Sequence, residues 1–70
     1  MNEGIFSERI KETREKQGLT LFEVAERSGL LEDTVYNIER NKRLVNLYTA
    51  IVLARALNVS LDWLCGLESP

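Results

Sequence analysis

The chain has 70 residues, 44% hydrophobic and 29% charged, a size and balance that fit one globular domain and leave no room for a second core. A formal net charge of −2 gives no overall attraction to nucleic acid, so any such partner must be met by a local basic patch. With no histidine and a single cysteine, no recognised catalytic arrangement, metal-ligand set or internal disulfide can be assembled, and neither enzyme activity nor a cofactor is expected.

The start, "MNEGIFSERIK", carries acids early and lacks the apolar stretch of a secretion signal. The longest apolar run, "AIVLA" at Ala50–Ala54, is far too short to span a bilayer. The lone Cys65 suits a reducing compartment and reads as a small core residue, with no base or second thiol nearby in sequence to activate it. A cytoplasmic location is expected, with no membrane partner.

Phe6, Ile10 and Thr13 recur at helical spacing with charged residues between them, and Gly18 ends the run. A first helix is predicted over Ile5 to Lys16. "TLFE" at Thr20–Glu23 is a capping box, in which the Thr20 hydroxyl accepts from the amide three residues on and Glu23 reaches back to the Thr20 amide. Val24 and Ala25 face inward, and Gly29 supplies a left-handed stop. The second helix is therefore short, Leu21 to Ser28.

Three residues, Gly29-Leu30-Leu31, lead into a third helix over about 32–40, with Val35 and Ile38 on its buried stripe. Asn41 sits where this helix is expected to stop, since Asn tolerates the left-handed conformation best after Gly. A basic loop follows. Asn46 then caps a fourth helix, whose buried face is predicted as Leu47, Ala50, Ile51, Ala54 and Leu57. Asn58 ends it, and Ser60 caps a fifth, short helix, "LDWLC". The predicted fold class is all-α, with five helices.

Three pieces, "RIKETREKQGLTLFEVAERSG", "TVYNIERNKR" and "LARALNVSLDWL", appear in this order and spacing between Arg9 and Gly66. Together they resemble the Cro/phage-repressor (XRE-like) helix-turn-helix domain. The resemblance implies a compact five-helix bundle of the lambda-repressor-like type, with the helix-turn-helix at the second and third helices. It also implies that the third helix lies in the major groove of double-stranded DNA while the second crosses the phosphate backbone. Leu31 stands where the family has a polar cap, and Glu32, Asp33, Tyr36 and Asn37 match the positions that face base edges. Thr20 and Leu21, at the start of the second helix, match the phosphate-gripping end, although the family often has Gln where this chain has Leu21. Lys42 and Arg43 match the basic loop that contacts phosphates, and Arg40 just before them is a further phosphate candidate. Arg14 and Glu39 match an ion pair tying the first helix to the third.

Each of these positions also has a plain structural reading. Arg14 and Glu39 are read as structural, because a buried charge is tolerated only with a partner. Arg40, Lys42 and Arg43 could be a solvated loop, but their place after a recognition-like helix favours phosphate contact. Asn37 is either an adenine reader or an exposed polar residue. Tyr36 either packs on a thymine methyl or a sugar, or covers the edge of the core. Glu32 and Asp33 suit the positive end of a helix dipole; Glu32 equally suits acceptance from cytosine N4. Being adjacent, the two point about 100° apart and do not form a facing acid pair.

Leu21 and Leu31 depart from the family pattern. As exposed leucines at helix starts they pack on each other, touch a thymine methyl, or mark a protein partner. Leu44, Val45 and Tyr48 add an apolar edge which, with Trp63 and Leu67, supplies candidates for a homodimer interface; Trp63 alone is read as closing the core. The leading expectation is a sequence-specific, repressor-like DNA-binding regulator acting as a homodimer, without a small-molecule ligand. The alternative is a protein-interaction module, antitoxin-like or anti-repressor-like, on the same scaffold. Charge reversal at Lys42 and Arg43 separates them: it abolishes DNA binding but spares a contact made by Leu21 and Leu31.

Overall fold

The computed structural model describes residues 3–41 and 45–67. Five α-helices follow in order along them: α1 (Glu3–Lys16), α2 (Leu21–Ser28), α3 (Glu32–Asn41), α4 (Leu47–Leu57) and α5 (Leu61–Leu64). No strand occurs among the described residues. The fold is the all-α, five-helix bundle, with α2 and α3 as the helix-turn-helix.

Helix α1 starts two residues earlier than its apolar spacing suggested. Phe6 and Ile10, one turn apart, are buried with Thr13. Polar side chains on this helix and just beyond its end fasten it to the rest. The buried Ser7 hydroxyl donates to the Ile38 carbonyl at 2.6 Å, and the Gln17 amide donates to the Leu57 carbonyl at 2.7 Å. Arg9 donates to the Trp63 carbonyl and lies over the Trp63 ring, 4.6 Å from its centroid, a cation–π contact.

The capping box of α2 is complete. Thr20 Oγ1 accepts from the Glu23 amide at 3.1 Å, and the Glu23 carboxylate accepts from the Thr20 amide at 2.9 Å. At the other end Gly29 adopts φ 76°, a left-handed conformation that a side chain strains. Its amide and that of Leu30 both donate to the Ala25 carbonyl, closing the helix in the manner of a glycine C-cap. The reversal is tight, with only three residues between α2 and α3.

Helix α3 ends at Asn41, one residue later than expected, with Asn41 as its last helical residue. The left-handed asparagine among the described residues is Asn58, at φ 58°, where α4 ends. The side chain of Asn46 accepts from the Thr49 amide and starts α4, and that of Ser60 accepts from the Trp63 amide and starts α5. Cys65 caps α5 rather than extending it.

The expected buried face of α4 needs correction. Ala50, Ala54 and Leu57 are buried, but Leu47 and Ile51 are exposed and Leu53 is fully buried in their place. The helix is apolar almost all round, so its own periodicity does not select a face; α2, α1 and α5 do so by packing on the Leu53 side. Leu53 and Leu57 meet Ile10, Val24, Val35 and Leu64 in one core. Truncating a fully buried leucine in such a core to alanine costs about 2–5 kcal/mol.

Candidate nucleic-acid interface

Helix α3 sorts its residues into two faces. Val35 is buried, Ile38 packs against the core, and the Glu39 side chain is only 7% exposed. Glu32, Asp33, Tyr36, Asn37 and Arg40 are all exposed, and their spacing of one and four residues sets them along one stripe. The five residues expected to read or grip DNA from this helix therefore share a single solvent-facing surface.

Leu31 is 75% exposed and stands at the N-cap, its carbonyl accepting from the Val35 amide at 3.1 Å. It has no side-chain oxygen, so the first amides of α3 receive no cap from it. Glu32 and Asp33 in this first turn place negative charge at the positive end of the helix.

Leu21 departs from its expected place. It is half-buried and packs against the core, so it does not form an exposed pair with Leu31. The protein-contact surface expected of the two leucines accordingly loses one member. Position 22 is the exposed apolar residue on α2: Phe22 is 56% exposed. Sequence reading passed over it because the capping box beside it accounts for the start of the helix without it.

Thr20 is exposed, its hydroxyl oxygen already accepting from Glu23; the hydroxyl proton remains a donor. The Glu23 carboxyl is held below its ordinary value by the Thr20 amide, then by the Thr20 hydroxyl, with Arg27 assisting.

Between α1, the start of α2 and the second half of α3 lies an open groove lined by Lys11, Arg14, Leu21, Tyr36, Glu39 and Arg40. Arg14 and Glu39 form its floor. The Arg14 guanidinium donates through Nε and Nη2 to the two Glu39 carboxylate oxygens and through Nη1 to the Leu19 carbonyl. At the rim Arg40 Nη1 donates to the Tyr36 hydroxyl at 2.5 Å, and its guanidinium lies 5.8 Å from the Tyr36 ring centroid. Lys11, which the sequence did not single out, brings a second cation from α1.

Lys42, Arg43 and Leu44 lie outside the described residues. Of the other candidates for self-association, Val45 and Trp63 pack against the core and Trp63 is held by Arg9; Tyr48 and Leu67 are exposed. Leu47 and Ile51 lie one turn apart on α4 beside Tyr48, so the exposed apolar face includes two residues that had been assigned to the core. No described helix is long and apolar enough to cross a membrane.

The sequence profile of the helix-turn-helix family matches residues 10–64, from the core of α1 to the end of α5. The chain is 39% identical over 56 residues to the control protein C.SmaI of Serratia marcescens, a match covering 80% of this chain and 67% of that protein. It is 38% identical over 58 residues to the HTH-type transcriptional regulator ImmR of Bacillus subtilis, covering 83% of this chain but only 46% of that regulator. Among solved structures, that of SinR, a master regulator of biofilm formation in Bacillus subtilis, in complex with DNA superposes with a TM-score of 0.79. The superposition covers 86% of this chain and 97% of that one at 30% identity. With its helix order, its tight α2–α3 reversal and a profile match across more than half its length, the chain belongs to the XRE-like helix-turn-helix family.

Proposed function

We propose that residues 1–70 act as one DNA-binding unit, a transcription regulator that reads sequence with α3 in the major groove and works as a homodimer in the cytoplasm. The observation that carries this reading is the single exposed stripe of Glu32, Asp33, Tyr36, Asn37 and Arg40 beside the start of α2, in a fold similar to that of a regulator crystallised on DNA. Asn37 and Glu32 have the chemistry to discriminate bases, Asn toward adenine and Glu toward cytosine N4. Thr20, Arg40, Lys42 and Arg43 supply contacts to phosphates, which position the helix without reading sequence.

The two-fold partner meets the exposed apolar face of Leu47, Tyr48 and Ile51, with Leu67 beyond it; two recognition helices related by a dyad match a palindromic site. No catalytic step, cofactor, metal or small-molecule ligand enters this reading. With a net charge of −2, non-specific binding is weak, and discrimination rests on the ratio of specific to non-specific affinity.

Selection of duplexes from a random pool, at low and at physiological salt, tests the proposal. An enriched palindromic motif that survives physiological salt is the expected result. Binding without a motif, vanishing as salt rises, overturns it.

A further inference from the structure

In the groove between α1 and α3 lie two cations, Lys11 and Arg40, that no carboxylate of the described residues pairs. Among the described residues no ion pair joins Lys11 to an acid, and Arg40 is held only by Tyr36. The one carboxylate lining the groove, Glu39, is already neutralised by two hydrogen bonds from Arg14. The groove also opens on the first turn of α2, where the capping box satisfies the amides of Thr20 and Glu23 and leaves those of Leu21 and Phe22 outside its reach. Leu21 itself offers no side-chain donor.

We propose that Lys11 and Arg40 together clamp one phosphodiester of the DNA backbone over this groove, and that Tyr36 is a positioning residue for Arg40 rather than a reader of bases. This rests on the DNA-binding reading above and specifies how the chain grips the backbone without a polar side chain at position 21. A guanidinium is a planar fork of donors whose direction decides which oxygen it reaches. A free arginine on an exposed helix loses rotamer freedom when it binds. The Tyr36 hydroxyl, one turn back on α3, accepts one of its donors and leaves the others available for a phosphate oxygen. Glu8, Glu12 and Glu15 line the adjoining surface of α1 with Lys11. They repel a second phosphate from that side, so contact is confined to the groove.

The test is the salt dependence of binding to the selected duplex, for the wild type and for Lys11→Gln, Arg40→Gln, Tyr36→Phe and the pair Tyr36→Phe with Arg40→Gln. Lys11→Gln and Arg40→Gln should each reduce the log–log salt slope by about 0.9, as expected for one fewer cation on the backbone. Their thermal unfolding should match the wild type. Tyr36→Phe should keep the slope, because no charge is lost, and lower affinity about fivefold, the worth of one net hydrogen bond. That loss should disappear in the Arg40→Gln background, since the tyrosine then has nothing to position.

Full slopes in both single-charge variants overturn the clamp while leaving DNA binding intact. An undiminished Tyr36→Phe loss in the Arg40→Gln background overturns the positioning role. Failure of the wild type to bind any duplex at physiological salt instead overturns the reading on which both rest.

Discussion

Arg14 and Glu39 meet fork to fork across the α1–α3 junction, Nε to Oε2 at 2.8 Å and Nη2 to Oε1 at 3.1 Å, with side chains only 14% and 7% exposed. The hydrogen bonds that Arg14 donates to the Glu39 carboxylate hold its pKa above the ordinary arginine value. A cation whose folded pKa is raised contributes stability that is fully present below its unfolded pKa and is lost only above it. For this arginine that window lies beyond the physiological range, so the contribution is independent of pH there. Arg14→Ala leaves Glu39 buried and unpaired and should cost about 3–5 kcal/mol. Replacing both residues with apolar side chains, Arg14→Met with Glu39→Leu, should recover most of that loss. Urea denaturation of the three variants measures it, and a wild-type midpoint for Arg14→Ala would show that the pair carries no stability.

The Thr20–Glu23 capping box has the opposite pH sense. The Glu23 carboxyl is held below its ordinary value, first by the Thr20 amide. Its contribution is therefore present above the unfolded carboxyl pKa and is lost as pH falls through the folded value. Glu23→Gln should lower stability at neutral pH and flatten the acid side of the curve, converging with the wild type once Glu23 is protonated. Thermal melts from acid to neutral pH make the comparison, and parallel wild-type and variant curves would remove Glu23 from the acid dependence.

Leu31 caps α3 with its carbonyl alone. A serine there adds a side-chain acceptor for the first-turn amides and removes an exposed apolar group. Leu31→Ser should stabilise the fold by about 0.5–2 kcal/mol, a rise of roughly 4–8 °C in Tm per kcal/mol for a domain of this size. An unchanged or lower Tm would mean that the Leu31 backbone cannot bring a serine oxygen to those amides.

Charge reversal of Lys42 and Arg43 to Glu should abolish duplex binding, because it replaces two cations on the backbone with two anions. Far-UV circular dichroism should be unchanged. Retention of specific binding at physiological salt would move the phosphate contacts away from this loop.

Tyr48, 68% exposed on α4 beside Leu47 and Ile51, is the test point for the proposed dimer. Tyr48→Glu should give a folded monomer that loses the preference for a palindrome over a half-site. Sedimentation equilibrium reads the mass directly. A dimer of wild-type strength would place the two-fold interface elsewhere.

The limits of the helices were legible because they are set by local chemistry. Thr20 with Glu23, Gly29, Asn46, Asn58 and Ser60 each act through hydrogen bonds or backbone preferences within a few residues. Asn41 marks the end of α3 in the same way, although it is the last helical residue and not the one after it. The candidate interface was legible as a list, because the resemblance to the helix-turn-helix family carried Glu32, Asp33, Tyr36 and Asn37 onto its base-facing positions and Arg40 stood in the basic run that follows; helical spacing then sets all five along one face.

The sequence by itself therefore determined the helix order, most helix ends and the exposed stripe of α3. Only the tertiary structure decided which side of the nearly all-apolar α4 is buried, putting Leu53 inside and Leu47 and Ile51 outside. It also drew Leu21 onto the core, left Phe22 exposed, and brought Lys11 of α1 to the same groove as Arg40 of α3. These outcomes depend on contacts between residues far apart in the chain, where the burial available from neighbouring helices outweighs any local preference.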